Sequence, residues 1–284
     1  MIDAFDRFVA IDFSASSRPS LGRDSLWVGW SSPRGPIRTR NVATRRELLD
    51  LIATLIFTGE RTLVVLDIAL GWPTGTASAL GLDGTPWRAM RRWLMKEVRD
   101  ADDNDNNRFE VAAHANLRAN SALFWGHPRG RRYDGLAPTT AVPDGLRPRV
   151  TEGQRTIERV VGGTIKSPFQ LTGAGAVGSQ SLLGQVFVER LAREGHVQQW
   201  PFETRPATVV VGEYFFSLPS WRDERGAVRD EQQVRAVVRW LRGCVESGQA
   251  LTSSSLLKPL TSATRSLVRE EEGWLVGVVA PPGV

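Results

Sequence analysis

At 284 residues, with 41% hydrophobic, 24% charged and 8% aromatic residues, the chain has the composition of a folded globular protein large enough to bury a substantial core. No apolar run approaches the roughly 20 residues of a bilayer-spanning helix, and Asp3, Asp6 and Arg7 stand where a secretory signal would be apolar, so a cytoplasmic protein without membrane contact is expected. A lone cysteine, Cys244, excludes an intrachain disulfide and cysteine-rich zinc modules, and a net charge of +5, arginine at all but Lys96, Lys166 and Lys258, admits a phosphate-bearing partner without requiring one.

Residues 7–12 form an apolar run that reads as a strand, and 26–30 and 37–42 follow it across a Ser/Pro/Gly turn as a meander. Thr44, with Glu47 three residues on, caps a helix whose stripe is Leu48, Leu51, Ile52, Leu55 and Ile56, until Gly59 stops it. Residues 63–67 are a second buried strand. The patterns of 87–98 and 108–120 are helical, and 126–153 is a long loop rich in Gly, Pro and Arg. Helical periodicity returns at 179–194 through Leu182, Leu183, Val186 and Leu191, and 208–216 is a β-branched and aromatic strand. Asp230 and Gln233 then form a capping pattern before a helix striped by Val234, Val237, Val238, Leu241 and Val245. The order β-β-β-α-β, an insertion at about 72–165, then α, β and α, predicts one α/β domain over 1–284. Its core is a five-stranded mixed sheet flanked by helices, the element order of the ribonuclease H-like fold.

Three of the apolar strands run into an acid at the carboxyl end: Asp12, Asp67 and Glu213. Side chains alternate, so Asp12 shares the face of Phe8 and Ala10, Asp67 that of Leu63 and Val65, and Glu213 that of Val209 and Val211. With these strands side by side, the carboxylates are expected to converge, and converging acids repel unless a cation lies between them. Magnesium or manganese suits carboxylate oxygens. A pair of such ions would activate water and stabilise the leaving oxygen of a phosphodiester. A fourth acid is expected from the last helix, Asp230 or its neighbour Glu231, although a plain helix cap would equally explain Asp230.

The blocks Val9-Ala-Ile-Asp-Phe-Ser14, Val65-Leu-Asp-Ile-Ala-Leu-Gly-Trp-Pro73, Glu213-Tyr-Phe-Phe-Ser217, Asp230-Glu-Gln-Gln-Val234 and Glu271-Glu-Gly-Trp-Leu275 resemble an uncharacterised bacterial family of predicted RNase H-like nucleases, over nearly the whole chain. The resemblance implies a metal-dependent nuclease acting on DNA or RNA, with metal acids at Asp12, Asp67, Glu213 and Asp230. The chain departs from that pattern in having Tyr214-Phe215 where a Tyr-Pro is usual, and Arg229-Asp230 where the last helix usually opens on His-Asp.

Other segments qualify this reading. The run Gly173-Ala-Gly-Ala-Val-Gly178 matches a dinucleotide fingerprint but lacks the preceding buried strand. Its glycines are expected to let a helix N-terminus approach the sheet or a substrate phosphate, with Ser14, Lys166, Ser179 and Gln180 as substrate contacts. The stretch Asp12-Phe-Ser-Ala-Ser-Ser17 also resembles the phosphate loop of sugar kinases and actin-type ATPases, which makes a phosphotransferase the main alternative; a non-catalytic nucleic-acid-binding module is another. The acidic run 100–107 lacks the Gly and Glu of a calcium loop and reads as a solvated helix start. Arg235, Arg239 and Arg242 on the last helix, and Arg129, Arg131, Arg132, Arg147 and Arg149 on the long loop, could track a phosphate backbone, and Trp72, Trp87 and Trp125 could stack bases.

Overall fold

The computed structural model describes residues 5–138, 153–163 and 165–284. Strands β1 (Arg7–Asp12), β2 (Leu26–Ser31) and β3 (Arg38–Val42) form the expected antiparallel meander. Helix α1 (Arg45–Ile56) opens as predicted: Thr44 Oγ1 accepts from the Glu47 amide at 3.1 Å, and Glu47 Oε2 accepts from the Ala43 amide at 2.9 Å. The helix carries the chain over to β4 (Thr62–Leu66), parallel to β1.

Among the described residues, helices α2 (Thr76–Ala79), α3 (Pro86–Glu97), α4 (Arg108–Arg118) and α5 (Thr156–Val161) follow. Helix α6 (Gly178–Glu194) then leads into β5 (Val197–Gln199) and β6 (Val209–Glu213), and α7 (Arg229–Glu246) closes the main layer. The sheet order is β3-β2-β1-β4-β6-β5, with β4, β5 and β6 running parallel to β1. The sheet thus has six strands rather than the expected five. The additional one, β5, is a three-residue edge element with two glutamines, too short and too polar to show in an apolar pattern.

The sheet separates two apolar layers. Phe8, Ala10, Leu63, Val65 and Val210 face Val234, Val237, Val238 and Leu241 of α7. Val9, Ile11, Val64, Leu66, Val209 and Val211 face Leu48 and Ile52 of α1 and Leu182 and Val186 of α6, and the same layer continues into Met90, Trp93, Phe109 and Ala112 of the inserted helices. β4 and β6 are covered on both faces, which explains their unbroken apolar sequence.

The C-terminal residues lock this arrangement. The Val276 amide donates to the Glu213 carbonyl at 2.9 Å, and the Glu271 carboxylate accepts from the amides of Gly75 and Ala77 at the start of α2. Residue 71 must be glycine, because a Cβ there would collide with the backbone carbonyls of Glu271 and Glu272. Among the described residues, no helix is long and apolar enough to cross a membrane.

Candidate active site

Asp12 ends β1, and Asp67 follows the last residue of β4. Ile11 lies opposite Leu66 in the parallel pair, so the two acids emerge side by side, and the Asp67 amide donates to the Ile11 carbonyl at 3.2 Å. Alternation puts both carboxylates on the face covered by α7. The first turn of α7 brings Asp230 to the same place. Asp230 is not the cap its sequence suggests: the helix starts at Arg229 with Val228 in the cap position, and Asp230 Oδ2 instead accepts from the Asp24 amide at 2.6 Å. This bond pins the β1–β2 loop beside the acids. Asp12, Asp67, Asp230 and Asp24 line one cleft of about 750 Å³.

Charge in this cleft is poorly compensated. Burial lifts the Asp12 carboxyl well above the usual range, the charges of Asp67, Asp230 and Asp24 lift it further, and Arg229 opposes them. Asp67 is pushed up to about 7, first by burial and then by Glu213, against the Phe216 amide and Arg229. Burial and Asp24 also raise Asp230, opposed by the amides of Asp24 and Ser25 and by Arg229. None of Asp12, Asp67 and Asp230 has an ion-pair partner among the described residues, whereas other buried acids do, Asp100 with Arg45 and Glu213 with Arg155. Such a group is relieved by protonation or by a bound cation.

Glu213 does not join them. It lies opposite Leu66, one step before Asp67, and with a side-chain period of two that step turns it to the other face of the sheet. There the fully buried Arg155 holds it with two bonds, Nη2 to Oε1 at 2.5 Å and Nη1 to Oε2 at 2.8 Å, and the Leu70 amide donates to Oε2 at 2.9 Å. Arg155 also donates to the Glu158 carboxylate and the Glu272 carbonyl. The expected meeting of Asp12, Asp67 and Glu213 is therefore corrected to one of Asp12, Asp67 and Asp230. Asp24 is an acid that sequence reasoning missed. It sits in a turn with φ of 55°, and a single turn acid carries no signature.

Of the predicted substrate contacts, Ser14, Lys166 and Gln180 line the cleft. Ser14 Oγ donates to the Asp24 carbonyl at 3.3 Å, Gln180 Nε2 to the Phe13 carbonyl at 2.8 Å, and Lys166 is exposed. Ser179 is a correction: its buried hydroxyl donates to the Leu171 carbonyl at 2.8 Å and accepts from Arg108 Nε at 3.2 Å, so it braces the chain behind the cleft. The 173–177 turn forms part of the cleft wall. Gly178 at the head of α6 has no room for a side chain, because a Cβ would meet the carbonyls of Pro168 and Gln170 at 2.6 Å.

Several other readings resolve into structure. Glu231 is bonded to Thr39, Ala227 and Arg235; burial acts to raise its carboxyl, but these partners hold it below its ordinary value. Arg235 is bonded to Thr39 and Glu231, Arg239 to Glu224, and Arg242 to the Gly35 carbonyl. Trp72, Trp87 and Trp125, at 1%, 5% and 6% exposure, are core residues with no face left for a base. The 100–107 segment leads into α4 with Asn107 at its cap position and Asp102, Asp103 and Asp105 exposed, and it is anchored at two points: Asp100 pairs with buried Arg45, and Asn104 accepts from the Arg45 amide at 2.8 Å. Arg129, Arg131 and Arg132 stand exposed around a second cavity of about 490 Å³, while Arg147 and Arg149 lie outside the described residues.

Asp12, Asp67, Asp230 and Asp24 offer only hard oxygen donors, which suit magnesium or manganese. Among the described residues, no three His, Cys, Asp or Glu side chains are gathered closely enough to hold an ion unaided. An open set of this kind fits magnesium, which is commonly bound by one or two carboxylates, with water and substrate phosphate oxygens completing its shell. Comparison with family models, with curated proteins and with solved structures finds no match for this chain.

Proposed function

We propose that the protein is a magnesium- or manganese-dependent phosphodiesterase of nucleic acid, built on an RNase H-like scaffold. One observation carries this reading: Asp12 and Asp67 close adjacent parallel strands, Asp230 reaches them from α7, and none of the three has an ion-pair partner among the described residues. A meander leading through α1 into a parallel pair supports the scaffold. Asp12 and Asp67 would hold the metal and Asp230 would complete the protein's share of the shell, with Glu213 no longer among the ligands. The metal supplies an acidified water and charge stabilisation at the phosphate. Lys166 in the cleft would attract the flanking backbone, which makes binding salt-sensitive.

The test is a cleavage screen over single-stranded, double-stranded, hybrid and junction substrates with magnesium or manganese, run with wild type and Asp67→Asn. Cleavage by wild type and none by the variant is expected, with an unchanged far-UV spectrum. Equal cleavage by both overturns the site. Nucleotide binding by calorimetry without cleavage would point to a phosphotransferase, and salt-sensitive nucleic-acid binding without turnover to a binding module.

A further inference from the structure

The cleft holds a cation that forms no ion pair with its acids. Arg229 is the first residue of α7, immediately before Asp230, and its exposed side chain lines the cleft. Its guanidinium carbon lies 5.1 Å from the centroid of the Trp221 ring. Although it stands beside Asp230, it forms no ion pair with any carboxylate among the described residues. The other α7 arginines differ: Arg235 and Arg239 are tied to acids, and Arg242 is bonded to a backbone carbonyl. Among the described residues, Arg229 is also the one cation whose field acts on all of Asp12, Asp67 and Asp230. Lys166 shares the cleft but offers a flexible point charge, whereas a guanidinium on an indole face keeps its planar fork oriented for two oxygens at once.

We propose that Arg229 is a catalytic residue of this centre, its guanidinium gripping the non-bridging oxygens of the phosphodiester under attack. The inference rests on the nuclease reading above. In the reaction, a water oxygen forms a new bond to phosphorus and releases its proton to solvent. The phosphorus bond to the leaving sugar oxygen breaks with its electron pair, and that oxygen takes up a proton from water. Negative charge grows on the non-bridging oxygens in between, and Arg229 would meet it there without giving or taking a proton. A two-toothed contact of this kind is stronger and more directional than a single ammonium contact. It also accounts for the absence of an ion pair: a guanidinium bonded to Asp230 would compete with metal for that carboxylate.

The experiment compares wild type, Arg229→Ala, Arg229→Lys and Asp12→Asn on the oligonucleotide that wild type cleaves fastest, alongside manganese binding measured by electron paramagnetic resonance. Loss of one such donor lowers kcat by about a hundredfold to a thousandfold. For Arg229→Ala we expect that loss mainly in kcat, manganese binding at least as tight as in wild type, and partial recovery when methylguanidinium is added. Asp12→Asn should recover nothing from the same additive. Wild-type turnover in Arg229→Ala overturns the inference while leaving the nuclease standing. A wild-type protein that cleaves nothing with either metal removes the nuclease reading, and the inference with it. Should Arg229→Ala fail to fold, Arg229→Lys decides: a loss of about tenfold or more supports the fork, and unimpaired turnover overturns it.

Discussion

Asp67 and Glu213 close neighbouring parallel strands and burial raises the pKa of both carboxyls above its ordinary value, yet their charges are handled in opposite ways. Glu213 receives two bonds from Arg155 and one from the Leu70 amide on one face of the sheet. Asp67, one register step further and on the other face, faces Asp12 and has no ion-pair partner among the described residues. A fold that can bury an arginine against one strand-end carboxylate and leaves the other without one is holding uncompensated charge where a ligand can use it. The difference separates an acid that holds the structure together from acids available for chemistry.

The comparison is broken most directly by exchanging oxygen for nitrogen on each side of the sheet. Asp12→Asn removes a candidate metal ligand, and several kcal/mol of charge stabilisation at about 1.36 kcal/mol per decade is on the order of a thousandfold in turnover. In Glu213→Gln, metal-dependent cleavage should survive while the urea midpoint falls. Loss of cleavage in a folded Glu213→Gln protein would return Glu213 to the catalytic set.

The buried hub that Arg155 forms with Glu158, Glu213 and the Glu272 carbonyl is probed by Arg155→Met. The substitution leaves Glu158 and Glu213 buried without their cation, and breaking a buried pair by removing one partner destabilises by about 3–5 kcal/mol. Urea denaturation reads this directly. A change below about 1 kcal/mol, the scale of an exposed pair, would mean that solvent already reaches the hub. Arg155 could not have been assigned this role beforehand. It lies at the edge of the Gly-, Pro- and Arg-rich segment, where no periodicity marks an element, and beyond its neighbour Glu158 its partners Glu213 and Glu272 are 58 and 117 residues away.

The unpaired side makes a prediction about pH. Asp67 moves from an ordinary 3.8 to about 7 on folding, so between those values the folded protein binds a proton that the unfolded chain has released. Its contribution to metal-free stability is fully present below about 4 and is lost as pH rises through about 7. Melting temperatures in EDTA should therefore show wild type losing ground to Asp67→Asn across that window. A constant difference between the two proteins from pH 4 to 8 would show that Asp67 titrates normally.

Much of this architecture is legible in the residues. Unbroken apolar runs mark β1, β4 and β6, and the acids ending the first two stand where strand-end carboxylates were expected. The face of Glu213 was not legible. Alternation orders side chains within a strand, but inter-strand register is set by the whole sheet, and one step moved this acid out of the cleft. Asp24 and β5 were missed for a related reason: both are defined by distant contacts, the first to Asp230 and the second to β6, and neither carries a local pattern.

Ser179 gives the smallest and most local test of the same distinction. As the second residue of an uncapped helix beside a glycine-rich turn, it looks like a phosphate contact, but its hydroxyl is bonded on both sides within the protein, to Leu171 and to Arg108. Ser179→Ala removes those bonds and leaves the Leu171 carbonyl without its hydroxyl donor in a buried position, so stability should fall by about 1 kcal/mol. Oligonucleotide affinity should not change at any salt concentration. The contrast is with Lys166→Ala on the exposed side of the same wall, which should weaken binding and lower the slope of log affinity against log salt by about one. If Ser179→Ala shifted affinity as Lys166→Ala does, the hydroxyl would have to leave Leu171 when substrate binds, and the α6 end of the cleft would belong with the acids rather than with the hub.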